Sequence, residues 1–137
     1  MDFKRLQFIF YSLAAGQIFF AAVVYFMIHQ ANEFSDIPML SIIVPVAVLG
    51  SIGLGYFMNE RFRSDANEQT TADAQMEHYK RRVIMRSAIM EGGNLIALVA
   101  CLVTGTVNFF LFFAFGIAVF IYFRPTLTEM ANDYPAV

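Results

Sequence analysis

The sequence predicts an all-α integral membrane protein: a four-helix bundle of two helical hairpins, its third helix extended into the cytoplasm. Three observations predict it. Apolar residues make up 58% of the 137, with 16 phenylalanines, against about 45–50% in a typical soluble domain. They are gathered into four long runs. All nine lysines and arginines lie at the ends of those runs that would share one side of a bilayer.

The net charge of −2 and the absence of a basic patch away from the apolar runs exclude a nucleic-acid partner. Cys101 is alone and inside an apolar run, so there is no disulfide framework. His29 and His78 stand far apart without cysteine companions, and no metal or other cofactor is expected.

The first run, 6–28, follows a short start carrying Lys4 and Arg5 and is interrupted by Ser12 and Gln17. About 20 apolar residues span the hydrocarbon core. It is too long for the apolar part of a signal peptide, and no small-x-small cleavage pattern follows it. It is read as a retained first span.

A polar connection with Glu33 and Asp36 leads to the second span, 38–58. Pro38 suits the first helical position, where its missing N–H costs nothing. Pro45 should kink the span, an event tolerated where neighbours re-satisfy the backbone. Ala47, Ser51 and Gly55 recur at a spacing of four, a stripe that lets another helix come close. The neighbour is a helix of the same chain or of another subunit.

The segment 59–82 is the long polar stretch and reads as a cytoplasmic loop. From about Thr71 its pattern turns helical, with Asp73 and Glu77 early and Lys80, Arg81 and Arg82 late. Met76, Tyr79 and Val83 share one face. Helix 3 should therefore begin in the cytoplasm and cross the membrane over 83–103. Lys80, Arg81, Arg82 and Arg86 suit anionic lipid headgroups, with Arg86 snorkelling toward them.

A tight connection, 104–108, precedes the phenylalanine-rich fourth span, 107–123. Thr126 with Glu129 three residues on forms a capping-box pattern, so a short interfacial turn is expected from Leu127.

Loop charge sets the orientation. Two basic residues precede span 1, six lie between spans 2 and 3, and one follows span 4; the two opposite connections carry none. The positive-inside rule places both termini and the central segment in the cytoplasm, as in a multi-pass protein of a bacterial inner membrane.

One position breaks the apolar pattern of the third span. Glu91 lies about 12 Å into the bilayer at 1.5 Å per residue, and an intramembrane carboxylate is a functional-site candidate by default. Ser87, Glu91 and Asn94 share a helix face. Gly16-Gln17 sits at the depth of Gly93-Asn94, which suggests a parallel repeat of two hairpins. Gln17, Glu91 and Asn94 are expected to meet inside the bundle, with a desolvated Glu91 taking up a proton. They form a polar clasp fixing helix register, or a proton or cation site.

A proteolipid with one membrane glutamate and helix glycines such as Gly50, Gly53 and Gly55 resembles the c/K proteolipid subunit of rotary ATPases. That resemblance implies ion transport through Glu91. Over its full length, with Arg86…Glu91-Gly92 in the third helix and Arg124-Pro125-Thr126 after the fourth, the chain is more similar to a family of small, uncharacterised four-helix bacterial inner-membrane proteins. This second resemblance implies fold and location and no mechanism. The leading expectation is a non-enzymatic membrane protein, either a small subunit or scaffold among other membrane subunits or a homo-oligomer. The alternative is a proton- or cation-translocating proteolipid. A lipid-acting enzyme comes last, since no nucleophile–base pair or phosphate-cradling loop is visible.

Overall fold

The computed structural model describes residues 2–30 and 36–136. Those residues form five α-helices and one short 3₁₀ turn: α1 (Asp2–Gln30), α2 (Leu40–Asp65), the 3₁₀ turn (Ala66–Glu68), α3 (Ala72–Thr104), α4 (Phe109–Tyr122) and α5 (Leu127–Asp133). Three of the helices, α1, α2 and α3, are long and apolar enough to cross a membrane. A fourth crossing exists if α4 and α5, bent by 58° at their junction, are taken together.

α4 has 14 residues, about 21 Å at 1.5 Å per residue, against a hydrocarbon core of about 30 Å. It is three residues shorter than the expected span: it starts two residues later, at Phe109, and ends one earlier, where the chain turns at Phe123 toward α5.

Helix α3 starts at Ala72, as the pattern from about Thr71 predicts, but most of the stretch before it, expected as loop, is also helical. α2 continues seven residues past Met58, and its polar end is supported by the Arg63–Glu60 pair at 3.6 Å. Only three residues, 69–71, separate the 3₁₀ turn from α3. Thr71 caps α3 by accepting from the Ala74 N–H at 3.1 Å. α3 stops at Gly105, whose φ of 67° falls in the left-handed region that glycine enters without steric cost. Its N–H reaches the Cys101 carbonyl at 2.8 Å. Pro45 lies inside α2 without ending it.

α3 is the hub, packed by α2, α4 and α1. The interior is layered along it. Val24, Val44, Val48, Ala97, Leu98, Cys101 and Phe113 fill the layer toward its C-terminal end. Phe10, Ala14, Met90 and Phe120 form the middle layer, where the Phe10 and Phe120 rings stack at 4.6 Å. Leu6, Met76, Tyr79, Val83, Met130 and Tyr134 form the layer nearest the α3 N-terminus. The outside is as apolar as the inside: Phe8 and Phe19 on α1, Ile42 on α2 and Leu111 on α4 are all at least 70% exposed. Exposed apolar surface of that extent suits hydrocarbon and not water.

Candidate functional site

The densest polar chemistry lies where α5 packs against the N-terminal half of α3. α5 is short, but the Thr126 hydroxyl caps it by accepting from the Glu129 N–H at 3.1 Å, which frees the Glu129 carboxylate to point at α3. Arg86 forks onto it, Nη1 to Oε2 at 3.2 Å and Nη2 to Oε1 at 3.0 Å, and donates from Nη2 to the Phe123 carbonyl at 2.6 Å. Arg82, one turn earlier, donates to Asp133 at 2.7 Å and lies 3.7 Å from Glu129. Asn59, from the polar end of α2, accepts from both guanidinium groups. Arg63 closes the outer side at 3.2 Å from Asp133.

Arg63, Arg82 and Arg86 face Glu60, Glu129 and Asp133, so the cluster is charge-balanced, and Asn59 and the Phe123 carbonyl add neutral acceptors. Arg82 and Arg86 are 2% and 0% exposed. Burying a guanidinium is costly unless it is paired, and the bidentate fork is the geometry arginine makes best; both Nη atoms of Arg86 are engaged, while its Nε is buried without a partner among the described residues. Burial works against the Arg82 charge, but the bond to Asp133 and the nearby Glu129 outweigh it and hold the group cationic.

Aromatic residues finish the cluster. The Tyr79 hydroxyl donates to Glu129 at 2.8 Å; burial first, then that carboxylate, raises its pKa well above the ordinary phenol value. The Tyr134 hydroxyl lies 2.6 Å from Nδ1 of His78. Desolvation holds the imidazole below its ordinary pKa, with Arg82 and Arg81 adding to the effect and Asp65 and Glu68 opposing it.

The lipid-headgroup assignment therefore needs correction for two residues. Arg82 and Arg86 do not reach outward, because Asn59, Glu129 and Asp133 converge on them inside the fold. Lys80 and Arg81 are 31% and 69% exposed in their side chains and each lies 4.0 Å from Glu77. Sequence reasoning missed Asn59, Glu129, Asp133, Tyr79 and Tyr134. One signal was there to be read: Glu129 and Asp133 repeat the i, i+4 spacing of Arg82 and Arg86, so two matched pairs of opposite charge lie on two helices.

Deeper in the bundle, Gln17 and Asn94 meet. Asn94 Nδ2 donates to Gln17 Oε1 at 2.8 Å, and both residues are 1% exposed. Asn94 Oδ1 lies against α4, where a Cβ on Gly116 would fall on it; this oxygen and Gln17 Nε2 are buried without a hydrogen-bond partner among the described residues. Ser87, 2% exposed, is on the same side of α3. Glu91 does not join them. It is half-buried and forms no hydrogen bond or ion pair among the described residues.

The small residues of α2 face α3. A Cβ on Gly93 would fall on Ser51 Oγ and 2.9 Å from the Ala47 carbonyl, and one on Gly55 would lie 3.0 Å from Met90 Cε. Ala47, Ser51 and Gly55 thus line an intramolecular contact. The chain matches no protein-family model, no curated protein and no solved structure.

Proposed function

We propose that the chain is a small, non-enzymatic multi-pass protein of a bacterial inner membrane that serves as a structural subunit of a larger membrane assembly. In this reading it crosses the bilayer four times, with both termini and the 59–82 segment in the cytoplasm, where its nine basic residues lie. The observation that carries the reading is how the interior polar groups are used. Gln17 and Asn94 bond to each other between apolar layers, and Arg82 and Arg86 are consumed by carboxylates of the same chain. Groups so engaged fix helix register and hold α5 in place; a transport path needs a continuous polar route, and the filled layers interrupt one.

Two measurements test it. In a Cys101→Ala background, cysteines at Glu68 and Asp36 should be labelled from opposite faces of the membrane; labelling of both by an impermeant reagent outside intact cells contradicts the topology. On a native gel of gently solubilised membranes, the chain should migrate in a complex heavier than one copy. Migration alone contradicts the subunit reading.

A second reading, proton or cation translocation through Glu91, has one observation in its favour: the carboxyl group has no partner among the described residues. It requires proton or cation flux into vesicles holding the purified protein, abolished by Glu91→Gln. Absence of flux removes it.

A further inference from the structure

α3 is clasped on three sides and open on the fourth. α2, α4 and α1 surround it in that order, α2 touching α4 and α4 touching α1, whereas α1 and α2 make little or no contact with each other. Between them α3 is uncovered. Met85, Ile96, Val99 and Val103 are 38–48% exposed, Ala88 and Gly92 are exposed too, and a Cβ on Gly92 would meet nothing within 4 Å. At about 100° per residue these six positions fall within an arc of roughly 80°. Toward the C-terminal end of α3 the strip runs into an apolar hollow of about 400 Å³ shared with Leu40 of α2.

An apolar strip alone is ordinary lipid-facing surface. Glu91 on its border is not. The side of α3 that buries Asn94 leaves Glu91 half-covered and without a partner among the described residues. Carboxylates inside membranes are expensive and pair with an opposite charge or a donor. This chain has no cation to give: its basic residues are 4, 5, 61, 63, 80, 81, 82, 86 and 124. Arg86, the nearest in sequence, is about 140° round the helix and is held by Glu129 and Asn59. A second copy inserted in the same orientation brings its basic residues to that same end, so it misses the depth of Glu91 as well.

We propose that the open side of α3 is the docking surface for a transmembrane helix of a different protein, one carrying a lysine or arginine at the depth of Glu91 and a small-residue face against Ala88 and Gly92. This rests on the reading of the chain as a subunit of an assembly and names the class of partner. The ion pair supplies the match in depth, and the exposed Gly92 lets the backbones approach closely.

The test uses the full chain, donor-labelled and reconstituted in phosphatidylcholine vesicles with an acceptor-labelled host transmembrane peptide of leucine and alanine. The peptide carries one lysine placed at the depth of Glu91; control peptides carry leucine or glutamine there. Energy transfer should report binding of the lysine peptide about tenfold tighter than the leucine peptide, the scale of one interhelical polar contact. Glu91→Gln should erase that preference. Gly92→Leu, which fills the strip but keeps the carboxyl group, should weaken binding of all three peptides. Circular dichroism checks that both variants keep their helix content. Equal binding of the lysine and leucine peptides by the parent chain overturns the proposal, as does a lysine preference that survives Glu91→Gln. So does preferential self-association of the chain through the Gly92 strip. If the peptide shows no preference while the native chain still migrates in a heavier complex, this partner is wrong and the assembly reading stands. A lysine preference in a chain that migrates alone means the reverse: the docking surface stands and the assembly reading falls.

Discussion

Arg82 and Arg86, one helical turn apart on α3, donate to the same oxygen, Oδ1 of Asn59, each at 2.7 Å. Two cations share one neutral acceptor only because Glu129 and Asp133 stand on their other side. The carboxylates should therefore hold most of the cluster's stability. Glu129→Ala leaves the fully buried Arg86 with neutral acceptors alone, and a loss of about 3 kcal/mol is expected in denaturant titrations in mixed micelles. Replacing both partners, Arg86→Met with Glu129→Leu, should cost less than the single change. A double variant as unstable as the sum of its parts would mean that the two residues are not coupled.

Adjacent glycines on α3 should respond in opposite ways. Gly93→Ala places a methyl group on Ser51 Oγ and against the Ala47 carbonyl, so α2 must move off. The expected cost is about 1–3 kcal/mol. Gly92→Ala meets open space and gains helix propensity, by up to about 1 kcal/mol. Thermal inactivation of the two variants in one detergent compares them directly. Equal Tm values would contradict the close α2–α3 approach.

Gln17 and Asn94 tie α1 to α3 through a buried side-chain hydrogen bond. A double-mutant cycle with Gln17→Leu and Asn94→Leu should give a coupling of about 1 kcal/mol. Gly116→Ala should behave like loss of Asn94, because its methyl group takes the place of Asn94 Oδ1. Unchanged stability of Gly116→Ala would contradict the close approach of α4 to Asn94.

Below neutral pH the end of the chain should loosen from α3. Burial favours the neutral imidazole of His78, so its folded pKa lies below the ordinary 6.5. The contribution is present above that value and is lost as the pH falls through the folded pKa. Protonation places a charge on a ring that burial disfavours charging and that lies 2.6 Å from the Tyr134 hydroxyl. An NMR titration of His78 should give a midpoint under 6.5, and His78→Asn should remove this part of the acid sensitivity. A midpoint at or above 6.5 contradicts the buried setting.

Much of this architecture was legible in the sequence. Three long apolar runs forecast α1, α2 and the apolar part of α3, and the Thr126–Glu129 spacing forecast the start of α5. Local signals carry such information because caps and periodicity act over three to seven residues. The Arg86–Glu129 pair spans 43 positions, and no periodic pattern links its partners; only their matched i, i+4 spacings hinted at it. The polar end of α2 looked like loop because its own signal is one exposed pair, Arg63–Glu60, while the bonds that Asn59 accepts come from Arg82 and Arg86 far along the chain. Gly92 and Gly93 were indistinguishable as letters, and only the position of α2 separates them. Glu91 was picked out by its chemistry, yet its lack of a partner depends on where α1 and Gln17 settle.

The separation between the arginines and their counter-ions also sets an order in time. Synthesis runs from the N-terminus, so Arg82 and Arg86 leave the ribosome more than forty residues before Glu129 and Asp133. During that interval the two guanidinium groups are unneutralised, in the period when basic flanks orient a hairpin in the membrane. Once α5 emerges and docks, the same charges disappear into the fold. In the topology proposed here, Arg82 and Arg86 first act as anchors that keep the start of α3 in the cytoplasm. They then become the seat on which the last helix closes, and the finished molecule hides two of the nine charges that would orient it.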